Sequence, residues 1–186
     1  MKITAVLLLI MGMLTGCTGT EKLLDKATEL RTAILEAQQC TFQAVITADY
    51  GDEIFTFQMD CTADNAGALS FTVTDPESIS GITGEISEDR GALTFNNEVL
   101  AFPILTDNDL SPVSTPWVFI NTLRGGYLTG CSAKDDILCI YIDDSFDEQP
   151  LHVEVYADQD VTPVRAEVIW QDRRILTMDI RDFTLQ

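Results

Sequence analysis

Residues 40–61 read CTFQAVITADYGDEIFTFQMDC, and the fold is decided there. Two runs, 40–48 (CTFQAVITA) and 53–61 (EIFTFQMDC), flank the turn cluster Asp49-Tyr50-Gly51-Asp52. Both alternate with period two. Folded as a hairpin whose opposed positions sum to 101, one face carries Cys40, Phe42, Ala44 and Ile46 with Phe55, Phe57, Met59 and Cys61. The other carries Thr41, Gln43, Val45 and Thr47 with Ile54, Thr56, Gln58 and Asp60. A one-residue slip would mix the faces, so the alternation specifies the register against it. With a two-residue loop, Cys40 and Cys61 are directly opposed, with Cα atoms roughly 4.5 Å apart, inside the range of a disulfide. Gly51 also suits a three-residue loop with a bulge, which shifts the register; the face pattern argues against that.

The same period continues outward. Strands are predicted at 67–74, 79–87, 91–95 and near 98–102, then at 126–132, 137–143, 151–157, 164–170 and 174–184. Turn clusters such as Asp75-Pro76-Glu77 and Asp89-Arg90-Gly91 separate them. Residues 20–39 place Leu23, Leu24, Ala27, Leu30, Ile34 and Ala37 at helical spacing, with Thr20 as N-cap. A second helix is predicted from Thr115 to Leu123, with Pro116 at its first position and Gly125-Gly126 ending it. The expected class is mainly β (α+β): one antiparallel meander of about ten or eleven strands. It curls into an incomplete barrel, because a flat sheet of that width is disfavoured, and two helices cover its concave face.

The N-terminus, MKITAVLLLIMGMLTGC, is an address. Ile3–Leu14 is a run too short to span a bilayer, which takes about 20 apolar residues, and of the length of a secretory h-region. Its end, Leu14-Thr15-Gly16-Cys17, resembles the lipobox of bacterial lipoproteins. That resemblance implies cleavage before Cys17 and a diacylglyceryl group on it. The expected organisation is a signal peptide over 1–16, a lipidated cysteine and tether over 17–20, and one domain over 21–186. The expected location is extracytoplasmic, on the cell membrane, with outer-membrane anchoring left open.

An even number of cysteines in an exported chain reads as disulfides. Cys40, Cys61, Cys131 and Cys139 remain after Cys17. The ranking of pairings favours 40–61 with 131–139, the second pair flanking a turn at Lys134-Asp135-Asp136. There is no CxxC, and the only histidine is His152, so no metal and no cofactor are expected.

The formal charge is −19, from 11 basic and 30 acidic residues, and hydrophobic residues make up 46%. That apolar content excludes a disordered chain. The charge argues against nucleic acid, which needs a basic track. It also argues against lying flat on an anionic bilayer. No GxSxG, HExxH, P-loop or GxGxxG is present. His152 is read as a histidine on the polar face of the strand LHVEVYA, and the acidic stretches near 107–109 and 143–148 as solvated turns. The expectation is a protein that is not an enzyme.

The exported start, the amphipathic helix, CTFQAVITADYGDEIFTFQMDC, FTVTDPESISGITGEISEDRGALTF and TPVRAEVIWQDRRILTMDIRDFTLQ together resemble the LolA/LolB/LppX-like lipoprotein-carrier superfamily over residues 21–186. That resemblance implies an open barrel of about eleven strands with helices as a lid over an apolar cavity that binds acyl chains. The implied role is a membrane-anchored lipoprotein holding an acyl chain or other apolar ligand, in envelope assembly or germination. Phe42, Ile46, Phe55, Phe57, Met59 and Trp117 are the residues expected to line the cavity. In the other reading the half-barrel is filled, and the protein is a non-catalytic module that binds an envelope protein partner. An inward apolar face serves both readings equally.

Overall fold

The structure is a computed structural model that describes residues 18–87, 90–95, 98–103, 105–106 and 109–186. The segment expected to be a signal peptide, residues 1–16, and Cys17 lie outside the described residues. Helix α1 spans Thr18–Glu36. Six strands follow: β1 (Gln39–Asp49), β2 (Ile54–Asp64), β3 (Leu69–Asp75), β4 (Thr83–Ser87), β5 (Arg90–Phe95) and β6 (Glu98–Pro103). A two-residue ladder pairs β7 (Leu105–Thr106) with β8 (Asp109–Leu110). A 3-10 turn, Pro112–Ser114, leads into helix α2, Thr115–Gly125. Five strands complete the chain: β9 (Tyr127–Lys134), β10 (Ile137–Asp143), β11 (His152–Ala157), β12 (Pro163–Trp170) and β13 (Arg173–Leu185).

Eleven strands form one antiparallel sheet in the order β6-β5-β4-β3-β2-β1-β13-β12-β11-β10-β9. The class is mainly β, an open sheet with two helices. The single expected meander is instead two meanders, β1 to β6 and β9 to β13, joined where β1 pairs with β13. The chain between them returns from one edge of the sheet to the other and carries α2 on the way.

The central hairpin forms in a different register. Its opposed positions sum to 103: Phe42 faces Cys61, Ile46 faces Phe57 and Asp49 faces Ile54. The loop is four residues, closed by the Tyr50 N–H donating to the Glu53 carbonyl at 3.1 Å. The Gly51 N–H donates to Asp49 Oδ1 at 2.8 Å, and its φ of +90° is a conformation that favours glycine. A shift of two leaves every side chain on its expected face, because the pleat has period two. It does move Cys61 away from Cys40, whose opposite residue is now Ala63. Diagonal neighbours of this kind stand about 7–8 Å apart, beyond ordinary disulfide reach.

The β9–β10 turn corrects the second expected bridge. Asp135 and Asp136 both have positive φ, 51° and 66°, as a two-residue type I′ turn requires. The register then sets Cys131 opposite Ile140 and Cys139 opposite Ser132, so the two thiols point to opposite faces of the sheet. All four described cysteines are free.

The core lies between the concave face of the sheet and the helices. Alternation along β1 buries Phe42, Ala44, Ile46 and Ala48. Helix α1 buries Ala27, Leu30 and Ile34, but Leu24, expected on that face, is 45% exposed. Helix α2 drops Phe119, Ile120 and Leu123 into the centre, each at most 1% exposed. Phe119 meets Phe42 edge-on at 5.8 Å and Phe183 at 6.3 Å between centroids. Pro116 stands in the first turn of α2, as expected.

Arg31 fastens the two helices. Its Nε donates to the Leu123 carbonyl at 2.7 Å and its Nη2 to the Gly126 carbonyl at 2.8 Å. A cation at the C-terminal end of α2 satisfies an orphan carbonyl and opposes the negative end of the helix dipole. Gly126 lets α2 press onto β10: a Cβ there would stand 2.7 Å from Ile142 Cγ2.

An apolar groove as the candidate functional site

The β1–β2 hairpin reaches past the filled centre of the half-barrel, and an open groove of about 610 Å³ lies under its tip. That volume falls in the range of small-molecule sites, about 300–1,000 Å³. From β2 come Ile54, Phe55, Thr56 and Phe57. Val73 of β3, then Ile79 and Ile82 from the turn before β4, form the facing wall with Leu93 of β5. Pro112 and Val113 of the 3-10 turn close the third side together with Tyr50.

Tyr50 holds this geometry. Its hydroxyl donates to the Leu110 carbonyl at 2.8 Å, tying the hairpin turn to the segment before α2. Its ring lies 6.4 Å from that of Phe55. The turn over 76–81 keeps Ile79 and Ile82 turned toward the groove; the N–H groups of Ile79 and Ser80 both donate to the Pro76 carbonyl at 3.0 Å. Because of this turn, the strand predicted over 79–87 is confined to 83–87.

The six expected lining residues divide into two groups. Phe55, 47% exposed, and Phe57, 7% exposed, line the groove. Phe42, Ile46 and Met59 lie on the same sheet face but are packed in the core, because α2 occupies the space a cavity would need there. Trp117 packs half-buried against that core, and its Nε1 is shielded from solvent without an acceptor among the described residues. Pro112 and Val113 of the 3-10 turn, and Tyr50 beyond its part in the hairpin turn, are groove residues that the sequence pattern does not mark. The three prolines of 103–116 were the only sequence signal that this segment is held irregular.

The convex face is polar and paired. Glu167, only 8% exposed, accepts from Arg165 Nε at 2.9 Å and Nη2 at 2.7 Å, and from Arg174 Nη1 at 3.1 Å. Tyr156 donates to Glu154 at 2.5 Å. Burial, then that bond, raises the Tyr156 pKa. His152 Nδ1 lies 2.7 Å from Asp143 Oδ1, on the polar face where it was expected. A His–carboxylate pair needs a nucleophile on the other ring nitrogen to act in acyl transfer. No hydroxyl or thiol among the described residues is bonded there. Burial pushes the Cys40 thiol up to about 12. It raises Cys61 further, with help from Asp60 and Cys40. Thiols so held are poor nucleophiles. Among the described residues no group of three or more His, Cys, Asp or Glu converges as a metal site, and no helix is long and apolar enough to cross a membrane.

Comparison with known proteins gives a likeness of fold. No family model and no curated protein sequence matches the chain. Among solved structures, a DUF1329 family protein from Desulfovibrio piger is similar over 90% of this chain and 93% of its own, with a TM-score of 0.52 at 13% identity. A LolA superfamily protein from Nitrosomonas europaea is similar over 90% and 93%, with a TM-score of 0.48 at 11% identity. The lipoprotein LppX of Mycobacterium tuberculosis is similar over 88% and 95%, with a TM-score of 0.45 at 14% identity.

Proposed function

We propose that this chain is an exported lipoprotein, anchored through Cys17, that holds an acyl chain or other apolar ligand in the groove beneath the β1–β2 hairpin. Its place is the extracytoplasmic side of the cell membrane, in envelope assembly or germination. One observation carries the reading. An apolar groove stands open where Phe55 remains half exposed, although Phe42, Ile46, Met59 and Phe119 at the centre of the concave face are sealed. Leaving such a surface in water costs about 25 cal/mol per Å², and contiguous exposed apolar patches mark binding sites. The lipobox-like start and the carrier-like pattern of the sequence support the same reading.

The test is native mass spectrometry of the full chain, made in a host that exports it and released from detergent in the spectrometer. A non-covalent lipid adduct is expected, and Phe55→Asp, at an exposed position that tolerates a charge, is expected to abolish it. A bare protein after incubation with lipids, or an adduct unchanged in Phe55→Asp, refutes the reading.

The filled centre favours a second reading. With Phe119, Ile46 and Met59 sealed, the groove serves an apolar anchor on a partner protein, and the molecule is a non-catalytic interaction module of the envelope. A bare mass together with capture of a protein partner that Phe55→Asp abolishes would select it.

A further inference from the structure

We infer that the groove selects amphiphiles whose headgroup is cationic and rejects those that end in a carboxylate or phosphate. This inference rests on the proposed binding of an apolar chain there and names the chemistry of the ligand's other end. Among the described residues no Lys or Arg lines the groove. Its polar lining is Thr56, Ser78 and the Tyr50 hydroxyl, which is already engaged on Leu110. The residues next to the lining are acidic: Glu53 precedes Ile54, and Asp75 and Glu77 flank Pro76. All three carboxylate residues are exposed, and among the described residues no ion pair holds any of them. Arg173 stands at this end of the hairpin. Its Nη2 is spent on Asp49, at 2.9 Å from the carbonyl and 3.3 Å from Oδ1.

The chemistry follows from that arrangement. An anionic headgroup needs charged or N–H donors at the mouth, and it would meet carboxylates. A cationic headgroup meets partners within a residue of the apolar wall. Neighbouring Cα atoms are about 3.8 Å apart, well inside the Debye length of about 8 Å in physiological salt. The chain's overall charge of −19 has the same sign and adds to the field.

The experiment uses the full-length processed protein in phosphatidylcholine nanodiscs. Three photoreactive probes share one diazirine-bearing chain and end in trimethylammonium, carboxylate or hydroxyl. Labelling is read by peptide mapping over residues 54–57 and 76–82. At low salt the trimethylammonium probe is expected to label the groove about tenfold more than the carboxylate probe, three exposed charge pairs acting together. In 0.5 M NaCl the preference is expected to shrink to about twofold or less. The variant Glu53→Gln/Asp75→Asn/Glu77→Gln is expected to lose it as well. Glu21→Gln/Asp25→Asn/Glu36→Gln, which removes the same charge from the exposed side of α1, is expected to keep it. Equal labelling by all three probes overturns the inference and leaves the groove reading standing. Loss of preference in both variants also overturns it, since net charge would then suffice. No labelling by any probe overturns the groove reading and this inference together.

Discussion

Truncating Phe119 to alanine distinguishes a half-barrel packed solid from one shaped around a guest. Phe119 is 0% exposed, with its ring against Phe42 and Phe183 at 5.8 and 6.3 Å. Removing a fully buried phenylalanine costs about 3–5 kcal/mol. The two aromatic contacts, worth about 0.5–1.5 kcal/mol each beyond area, put this site at the upper end of that range. For a domain of this length each kcal/mol moves the midpoint by about 2–4 °C. Phe119→Ala should therefore lower Tm by about 10–20 °C and reduce the urea midpoint with the slope m unchanged. A loss under about 1 kcal/mol would refute the reasoning, because it would mean the ring was not contributing to a close-packed centre. A stabilising response to an added apolar solute, seen only in the variant, would show in addition that the vacated space is dry and accessible.

Arg31→Ala should cost about 1–3 kcal/mol in urea unfolding, because two carbonyls at the end of α2 lose a charged donor; Arg31→Lys should recover less than half, since a single ammonium cannot serve both. Glu167→Gln should cost about 1–2 kcal/mol, the half-exposed Arg165 and Arg174 regaining part of their hydration, and a variant as stable as the parent would place the charge in water. Denatured without reductant, the processed chain should show thiols at 40, 61, 131 and 139; if those at 40 and 61 are missing, the hairpin closes in the register summing to 101. The folded thiol of Cys40 ionises at about 12 against an ordinary 9.0, so the folded state binds the proton more tightly. Its stabilising contribution is whole below pH 9 and is lost as pH rises toward 12. Cys40→Ala should flatten the stability profile in that window, and an unchanged slope would refute the burial of the thiol.

The strand faces were legible from alternation alone, since Phe42 and Ile46 point inward in any register that preserves parity. The register was not, because shifts of two leave the pattern of faces intact, and only the Tyr50–Glu53 turn bond separates 101 from 103. The helix expected over 20–39 was legible from Ala27, Leu30 and Ile34, but it forms over 18–36, so Thr20 lies inside it rather than at its N-cap and Gln39 already belongs to β1. Leu24 was misplaced by the breadth of the apolar stripe. The junction of β1 with β13 lay beyond local pattern altogether. Phe55 and Phe57 could not be told from Phe42 and Met59 by composition. What distinguishes them is where α2 lands, and that depends on Arg31 and Gly126, neither of which carries an apolar signal.

The pairing of β1 with β13 has a consequence for how the molecule is made. Arg173 bonds to Asp49 across 124 residues of chain. A polypeptide synthesised from its N-terminus presents β1 and β2 long before β13 exists, at about 5–20 residues per second. During that interval one side of β1 is an unmatched ladder of amides and carbonyls, a template for any other extended strand. The seam in the middle of the finished sheet is thus the last to close. A chain whose synthesis has not reached residue 173 still holds out this edge of β1, and pairing with β13 is what covers it.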